Sequence, residues 1–308
     1  MRVLVTGGLG FLGRAVTAEL TEHGHEVLVL SHSAPPRLRG DVEVIRADLR
    51  DRSAIAEALA AQRLDGVCHL AGLKSVRDSF TDPVGYFDTN VGGMASLLRA
   101  LTGGLPFVYA STSAVYGSAR PGRLTEDLLP NAENPYAASK LAAEQLLAYT
   151  AATGSVGGVT LRCFNIAGAV GGHADPDPTR IIAACLRAAA GLIPHVTVNG
   201  DGSAVREFTH LADAARAFRL GLAAAKPGEH QLLNLGTGDG ITMMEVVRAA
   251  ERVTGRQIHV VHRDAANEAH TLISDPDRIQ KTLQWHPETS TIERIISDAW
   301  EALHPTAH

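Results

Sequence analysis

The chain of 308 residues is 45% hydrophobic and 20% charged, the balance of a soluble globular protein long enough to bury a large core. A formal net charge of −5 supplies no global basic field, so nucleic acid and anionic membranes are not expected as partners. No apolar run approaches the roughly 20 residues that span a bilayer, and the N-terminus carries no signal-peptide pattern, which points to a cytoplasmic protein.

The predicted elements begin with the strand RVLVTG (2–7), a helix from about Phe11 to Glu22 and a second strand, HEVLVLS (25–31). There follow DVEVIRADL (41–49), a helix near 53–62, GVCHLAG (66–72), a helix through NVGGMASLLRAL (90–101) and PFVYAST (106–112). This alternation is that of parallel βαβ units, and strands so continuously apolar belong in a doubly wound, Rossmann-type sheet covered on both faces. After GVTLRCFNIAG (158–168) the pattern loosens into a Gly/Pro/Asp loop and then mixes helices with short strands such as HVTV (195–198) and IHVV (258–261). The expected architecture is α/β: a dinucleotide-binding domain over 1–168 with elements returning to it around 206–240, and a smaller α/β substrate-binding lobe over 169–308. Cys68, Cys163 and Cys185 stand far apart without metal-ligand or CxxC spacing and are expected to be reduced, buried packing residues. The fourteen histidines include no HExxH or comparable cluster, so no metal is expected.

VTGGLGFLG sets Gly7, Gly10 and Gly13 between the first strand and the first helix, with Phe11 and Leu12 opening that helix. Glycines there let the turn and the helix N-terminus approach a pyrophosphate, whose charge is met by free N–H groups and the helix dipole. The second strand ends in Ser31 and His32, where an NAD ribose clamp commonly supplies an acid, while Arg37 and Arg39 lie close enough to favour a 2′-phosphate. On these residues NAD and NADP both remain open. Asp48 in ADLRD ends the next strand, placed either near the adenine or as a helix cap.

The stretch YAASK (136–140) puts Lys140 four residues after Tyr136. With five tyrosines and four lysines in the chain, chance predicts only about 0.06 such pairs. The pair is either a helix-surface contact or a chemical device, since a cation held beside a phenol favours phenolate and suits it to general-base work.

Taken in order, the Gly loop, ADLRD, HLAGLKSV (69–76), YFDTNVGG (86–93), STSAVYG (111–117), NPYAASK (134–140), LRCFN (161–165), VREFTHLAD (205–213) and LLNLGTG (232–238) are highly specific. Over nearly its whole length the chain resembles the extended branch of the short-chain dehydrogenase/reductase family and, within it, the UDP-glucose (UDP-galactose) 4-epimerases. The resemblance implies Tyr136 as acid/base, Lys140 on the nicotinamide ribose lowering the phenol's pKa, and Thr112 bonding the sugar hydroxyl that is oxidised. It implies NAD held by the Gly loop, Ser31, His32, Asp48, Leu49, Leu70, Ala71, Gly72, Lys74, Asn90 and Phe164, with Tyr136 and Lys140. Around the sugar nucleotide it places Lys74, Thr112, Tyr136, Asn165, Arg180 and Arg206. Where relatives carry a further diphosphate Arg this chain has Ala265, so Arg263 is expected to reach in its place; Leu272 stands where a bulky aromatic often limits the sugar's 2-substituent.

The implied activity is interconversion of a UDP-hexose pair through a transient 4-keto sugar and tightly bound NAD. Alternatives within the family are a nucleotide-sugar 4,6- or 5,6-dehydratase, for which TSAVYG lacks the extra acid, and an NADP-dependent reductase. In relatives, helices corresponding to about 83–101 and 139–152 pair between subunits, so a homodimer is expected.

Overall fold

Continuous apolar runs stack side by side wherever both of their faces can be covered, and the first half of this chain supplies them with their covers. The computed structural model describes residues 1–33, 42–118, 122–264 and 269–303. In chain order come β1 (Arg2–Thr6), α1 (Phe11–Glu22), β2 (Glu26–Ser31), β3 (Glu43–Arg46), α2 (Arg52–Ala60) and β4 (Gly66–His69). Two short helices, α3 (Val76–Ser79) and α4 (Pro83–Phe87), lead through a wide π-helical turn (Asp88–Gly92) into α5 (Gly93–Ala100), then β5 (Leu105–Thr112), α6 (Pro135–Ala152) and β6 (Val156–Cys163).

Beyond β6 the chain forms β7 (Asn165–Ala167), the small hairpin of β8 (Ala169–Val170) and β9 (His173–Ala174), α7 (Ile181–Ala189), β10 (Val196–Asn199) and β11 (Val205–His210). It returns through α8 (Leu211–Ala224) and β12 (His230–Leu235) before β13 (Gly240–Thr242), α9 (Met243–Thr254), β14 (Val260–Arg263), β15 (Thr271–Leu272), α10 (Asp277–Leu283) and α11 (Ile292–Leu303). The large sheet has the order β12-β6-β5-β4-β1-β2-β3 and is parallel throughout. Its order reverses between β1 and β4, so the crevice for a ligand opens at the C-terminal ends of those strands.

Side-chain alternation divides the core between the faces. Val3, Val5, Val29, Leu161 and Leu233 point toward α1 and α8, whereas Leu4, Leu28, Phe107 and Tyr109 point toward α2, α5 and α6. The smaller lobe packs α7, α9 and α11 around β10, with Ile182, Val198, Val246 and Ile295 inside. Residues near 279–285 differ from the expected division: Ile279, Leu283 and Trp285 join the core of the large sheet, and Trp285 Nε1 donates to the Asp213 carbonyl at 2.9 Å. The amphipathic helix α10 thus brings the chain back to the larger domain a second time.

Candidate active site

Three glycines shape the floor of the crevice. Gly7 has φ +70°, and a Cβ there would lie 2.8 Å from the Ala71 backbone nitrogen; a Cβ on Gly13 would lie 2.0 Å from the Gly7 carbonyl oxygen. Gly10 is the N-cap of α1 and provides no side-chain cap, so the first turn, which carries Phe11 and Leu12, offers its N–H groups to the crevice. On the opposite wall Leu70 and Ala71 leave β4, tied to Thr6 by Leu70 N to the Thr6 carbonyl at 3.2 Å and Ala71 N to Thr6 Oγ1 at 3.2 Å. This tight turn suits a dinucleotide's pyrophosphate, because a Cβ at Gly7 or Gly13 would force apart the backbone segments that frame it.

Ser31 is buried at the end of β2 with its hydroxyl 3.2 Å from that of Ser33, and His32 is exposed beside it. Asp48 takes a forked contact from Arg50, with Nη2 to Oδ2 at 2.7 Å; that hydrogen bonding holds its carboxyl down to about 2. The cap of α2 is Asp51, which accepts from the backbone of Ser53 and Ala54, so the capping alternative for Asp48 is replaced. Leu49 is a core residue, and Arg37 and Arg39 lie outside the described residues.

Asn134 caps α6, accepting from Ala137 N at 2.9 Å, and Pro135 takes the first helical position. That start puts Tyr136 in the first turn and Lys140 one turn on, both facing the end of β5. Thr112, the last residue of β5, stands by the Tyr136 phenol, which its hydroxyl helps to hold down against burial, and accepts from Ala114 N at 3.1 Å. Lys140 is buried with Nζ 4.3 Å from the centroid of the Tyr109 ring; burial brings it down to about 8. Tyr86 stands edge-on to Tyr136 with centroids 6.4 Å apart.

The phenol does not have the lowered pKa expected of it. Burial pushes Tyr136 up to about 12, with Cys163 and Tyr86 adding to the rise and the Thr112 hydrogen bond and the Arg180 charge opposing it. The protein's own groups therefore hold Tyr136 as a neutral phenol.

Asn90 sits 2% exposed inside the π-helical turn. Its Oδ1 accepts from Leu73 N at 2.9 Å, and its Nδ2 donates to the Leu73 carbonyl at 3.1 Å and to Ser139 Oγ at 2.9 Å. It braces the loop of Gly72 and Lys74 against α6 from behind. Lys74 is exposed, and its charge is the smallest of the influences that lower the Asp177 carboxyl, after the Thr179 hydrogen bonds and Arg180. The Phe164 side chain packs with Val115, Tyr116 and Leu124, and Leu272 packs against the same cluster.

A cavity of about 450 Å³ lies in the smaller lobe, lined by Asn165, Asp175, Arg180, Arg187, Arg206 and Arg263 among others. Arg180, just before α7, pairs through Nε with Asp175 at 3.2 Å and Asp177 at 3.8 Å. Arg206 Nη1 donates to the carbonyls of Val205 at 2.9 Å and His270 at 3.3 Å, while Arg263 Nε bonds Asn199 Oδ1. Asn165 Nδ2 donates to the Glu207 carbonyl at 3.0 Å. Four arginines against one acid give the cavity a positively charged lining; Ala265 lies outside the described residues.

The model of the NAD-dependent epimerase/dehydratase family matches residues 3–236. The chain belongs to this family. The UDP-glucose 4-epimerase of Corynebacterium glutamicum is 34% identical over 315 residues, covering 97% of this chain and 95% of its own. That of Streptomyces lividans is also 34% identical, covering 100% of this chain and 98% of its own. Among solved structures, the UDP-glucose 4-epimerase of Stenotrophomonas maltophila with bound NAD and formylated UDP-arabinopyranose has a TM-score of 0.90 and 31% identity, over 98% of this chain and 97% of that one.

For an epimerase/dehydratase family member the thiols are placed unequally. Cys68 and Cys185 are buried, whereas Cys163 is partly exposed beside Tyr136 and Lys140. Burial pushes it up to about 12, so it is a neutral thiol. Among the described residues no group of three or more His, Cys, Asp or Glu side chains is arranged to hold a metal ion. Sequence reasoning missed Glu144, Arg162 and Ser111, which form a buried polar group next to Lys140, and Arg187, Asp175 and Asn199 in the cavity. For Glu144 a signal existed: it repeats the spacing of Tyr136 and Lys140 along α6.

Proposed function

We propose that this protein is a nucleotide-sugar 4-epimerase, interconverting UDP-hexoses that differ at C4 with tightly held NAD. The observation that carries the reading is the placing of Thr112, Tyr136 and Lys140 together where the end of β5 meets the first two turns of α6, with Lys140 buried against Tyr109 of that strand. The larger domain would hold the dinucleotide, with Lys140 donating to the ribose, and the smaller lobe the nucleotide sugar. Arg206, Arg263 and Arg180 would meet the diphosphate, each replacing a carbonyl, amide or carboxylate partner by an anionic oxygen.

NAD, when bound, supplies the acceptor that takes the C4 hydride and gives it back to the opposite face. Thr112 holds the 4-hydroxyl, and Tyr136 removes its proton and later returns it. A phenol at about 12 suits that proton only after positive charge gathers around it, from Lys140 and from the oxidised cofactor. Anchoring through the diphosphate leaves the 4-keto sugar free to turn and offer either face. Elimination to a 6-deoxy sugar would need a further acid, and Ser113 and Ala114 follow Thr112 instead.

Two further points belong to this reading. A homodimer is supported by Val84 on α4 and Tyr149 on α6, each 77% exposed on helices that pack together. A cytoplasmic setting is supported by three free, unpaired cysteines; among the described residues no helix is long and apolar enough to cross a membrane. Mass spectrometry of the denatured, as-purified protein tests the cofactor: NAD is expected, and purification free of any dinucleotide together with a requirement for added NADPH would favour the reductase.

A further inference from the structure

Tyr136, Lys140 and Glu144 follow one another at helical spacing on a single face of α6. Glu144 is 4% exposed and Arg162, on β6, is 2% exposed. Arg162 meets the carboxylate with Nη2 at 2.7 Å and Nε at 3.1 and 3.2 Å, and Ser111 Oγ donates to the same group. The guanidinium also lies 4.8 Å over the Tyr116 ring, whose hydroxyl donates to Asn234 Oδ1 at 2.7 Å. An ion pair buried this deeply is a weak source of stability, because removing two charges from water offsets most of their attraction. Its place beside the active-site lysine gives it another use.

Lys140 is faced from β4 by His69, from β5 by Tyr109, from β6 by Cys163 and along α6 by Tyr136 and Glu144. Burial leaves four of these neutral at pH 7: His69 falls to about 3, Cys163 and Tyr136 rise to about 12, and Tyr109 is raised well above its ordinary value. Against the burial of the lysine stand Cys163 and then Glu144, and of these two Glu144 is the carboxylate fixed in an ion pair with Arg162.

We propose that Glu144, fixed by Arg162 and Ser111, is a positioning residue whose carboxylate keeps the Lys140 side chain charged in the apolar wall of the cofactor cleft. The inference rests on the role given to Lys140 above. Because Ser111 directly precedes Thr112, the same carboxylate also pins the strand end that carries the catalytic hydroxyl.

Glu144→Gln keeps the shape and removes the charge. Lysine isotopically labelled at Cε gives one signal for each of Lys74, Lys140, Lys226 and Lys281, so Lys140 is titrated by NMR without reference to turnover. Its midpoint is expected to fall by about one pH unit, and the alkaline limb of turnover to move toward acid by a similar amount. The single variant leaves Arg162 buried without its partner, so Glu144→Gln with Arg162→Gln is measured alongside and is expected to shift the midpoint in the same direction. A folded variant with lower thermal stability and an unmoved Lys140 midpoint would show a purely structural pair and overturn the proposal. A shifted midpoint in protein that epimerises no sugar would support the role of Glu144 and remove the epimerase reading instead.

Discussion

Replacing Gly13 by alanine isolates the glycine cradle from every other part of the site. Gly13 has helical backbone, so alanine should gain about 1 kcal/mol of helix propensity there. Its methyl, however, would lie 2.0 Å from the Gly7 carbonyl oxygen and 2.7 Å from Gly7 C and Gly8 Cα, all backbone atoms with no rotamer to give. Reaching even 3.0 Å, the shortest separation that real Cβ atoms tolerate, requires the turn and the helix to part by about 1 Å. The turn cannot absorb this freely, because Gly7 is already packed against Ala71.

Overpacking of this kind costs about 1–3 kcal/mol, so after the propensity gain a net loss of up to about 2 kcal/mol and a fall in Tm of up to about 3 °C are expected. The larger effect should be on NAD. A shift of this size misaligns N–H groups aimed at the pyrophosphate, and two charge-assisted bonds lost together weaken binding by at least about 10²-fold. Mass spectrometry of denatured protein reads the NAD content and calorimetry reads Tm. Gly24→Ala is the control: at φ +76° with nothing within 4 Å, it should cost about 1–2 kcal/mol in strain and leave NAD in place. Wild-type NAD content in Gly13→Ala would refute the cradle as the cofactor's seat.

Tyr136→Phe should keep NAD and lower turnover by at least about 10²-fold; near-wild-type rates would remove Tyr136 as the acid/base. Lys140 should trade stability for function. Its pKa in the fold, about 8 against an ordinary 10.5, means that the unfolded chain binds the extra proton between those values, so the cost is full below pH 8 and is relieved as pH rises. Lys140→Met should therefore stabilise the cofactor-free protein at pH 7 by up to about 3 kcal/mol while abolishing turnover; a Tm unchanged or lower at pH 7 would contradict this. Light scattering at micromolar concentration should find twice the 32.5 kDa chain mass, and Val84→Asp with Tyr149→Asp should halve it; a wild-type particle of one chain mass would remove the dimer.

Features that depend on neighbouring residues were the most legible in the sequence. The strand–glycine–helix turn, the Asn134-Pro135 start of α6 and the Tyr136/Lys140 spacing are all local, and local sequence decides caps, turns and helical faces. What escaped was settled by distance. Spacing puts Glu144 on the face of Tyr136 and Lys140, but nothing local says that Arg162, on another element, turns inward to meet it. The π-helical turn that carries Asn90 behind the Leu73 backbone leaves no pattern in hydropathy. The second return of the chain at Trp285 is decided by packing of α10 against α8 and β12, which only the assembled sheet brings together. The phenol's raised pKa was likewise invisible, because spacing shows a neighbouring cation but cannot show how little water reaches the ring.

Incubating the purified enzyme with single UDP-hexoses and no added cofactor, and following the anomeric NMR signals, measures the central claim directly. Each sugar that is a substrate should pass to its C4 epimer and settle at the same mixture from either side, without release of a 6-deoxy product. Accumulation of a 4-keto-6-deoxy sugar, or turnover that appears only when NADPH is supplied, would contradict the assignment of Thr112, Tyr136 and Lys140 to a reversible C4 oxidation.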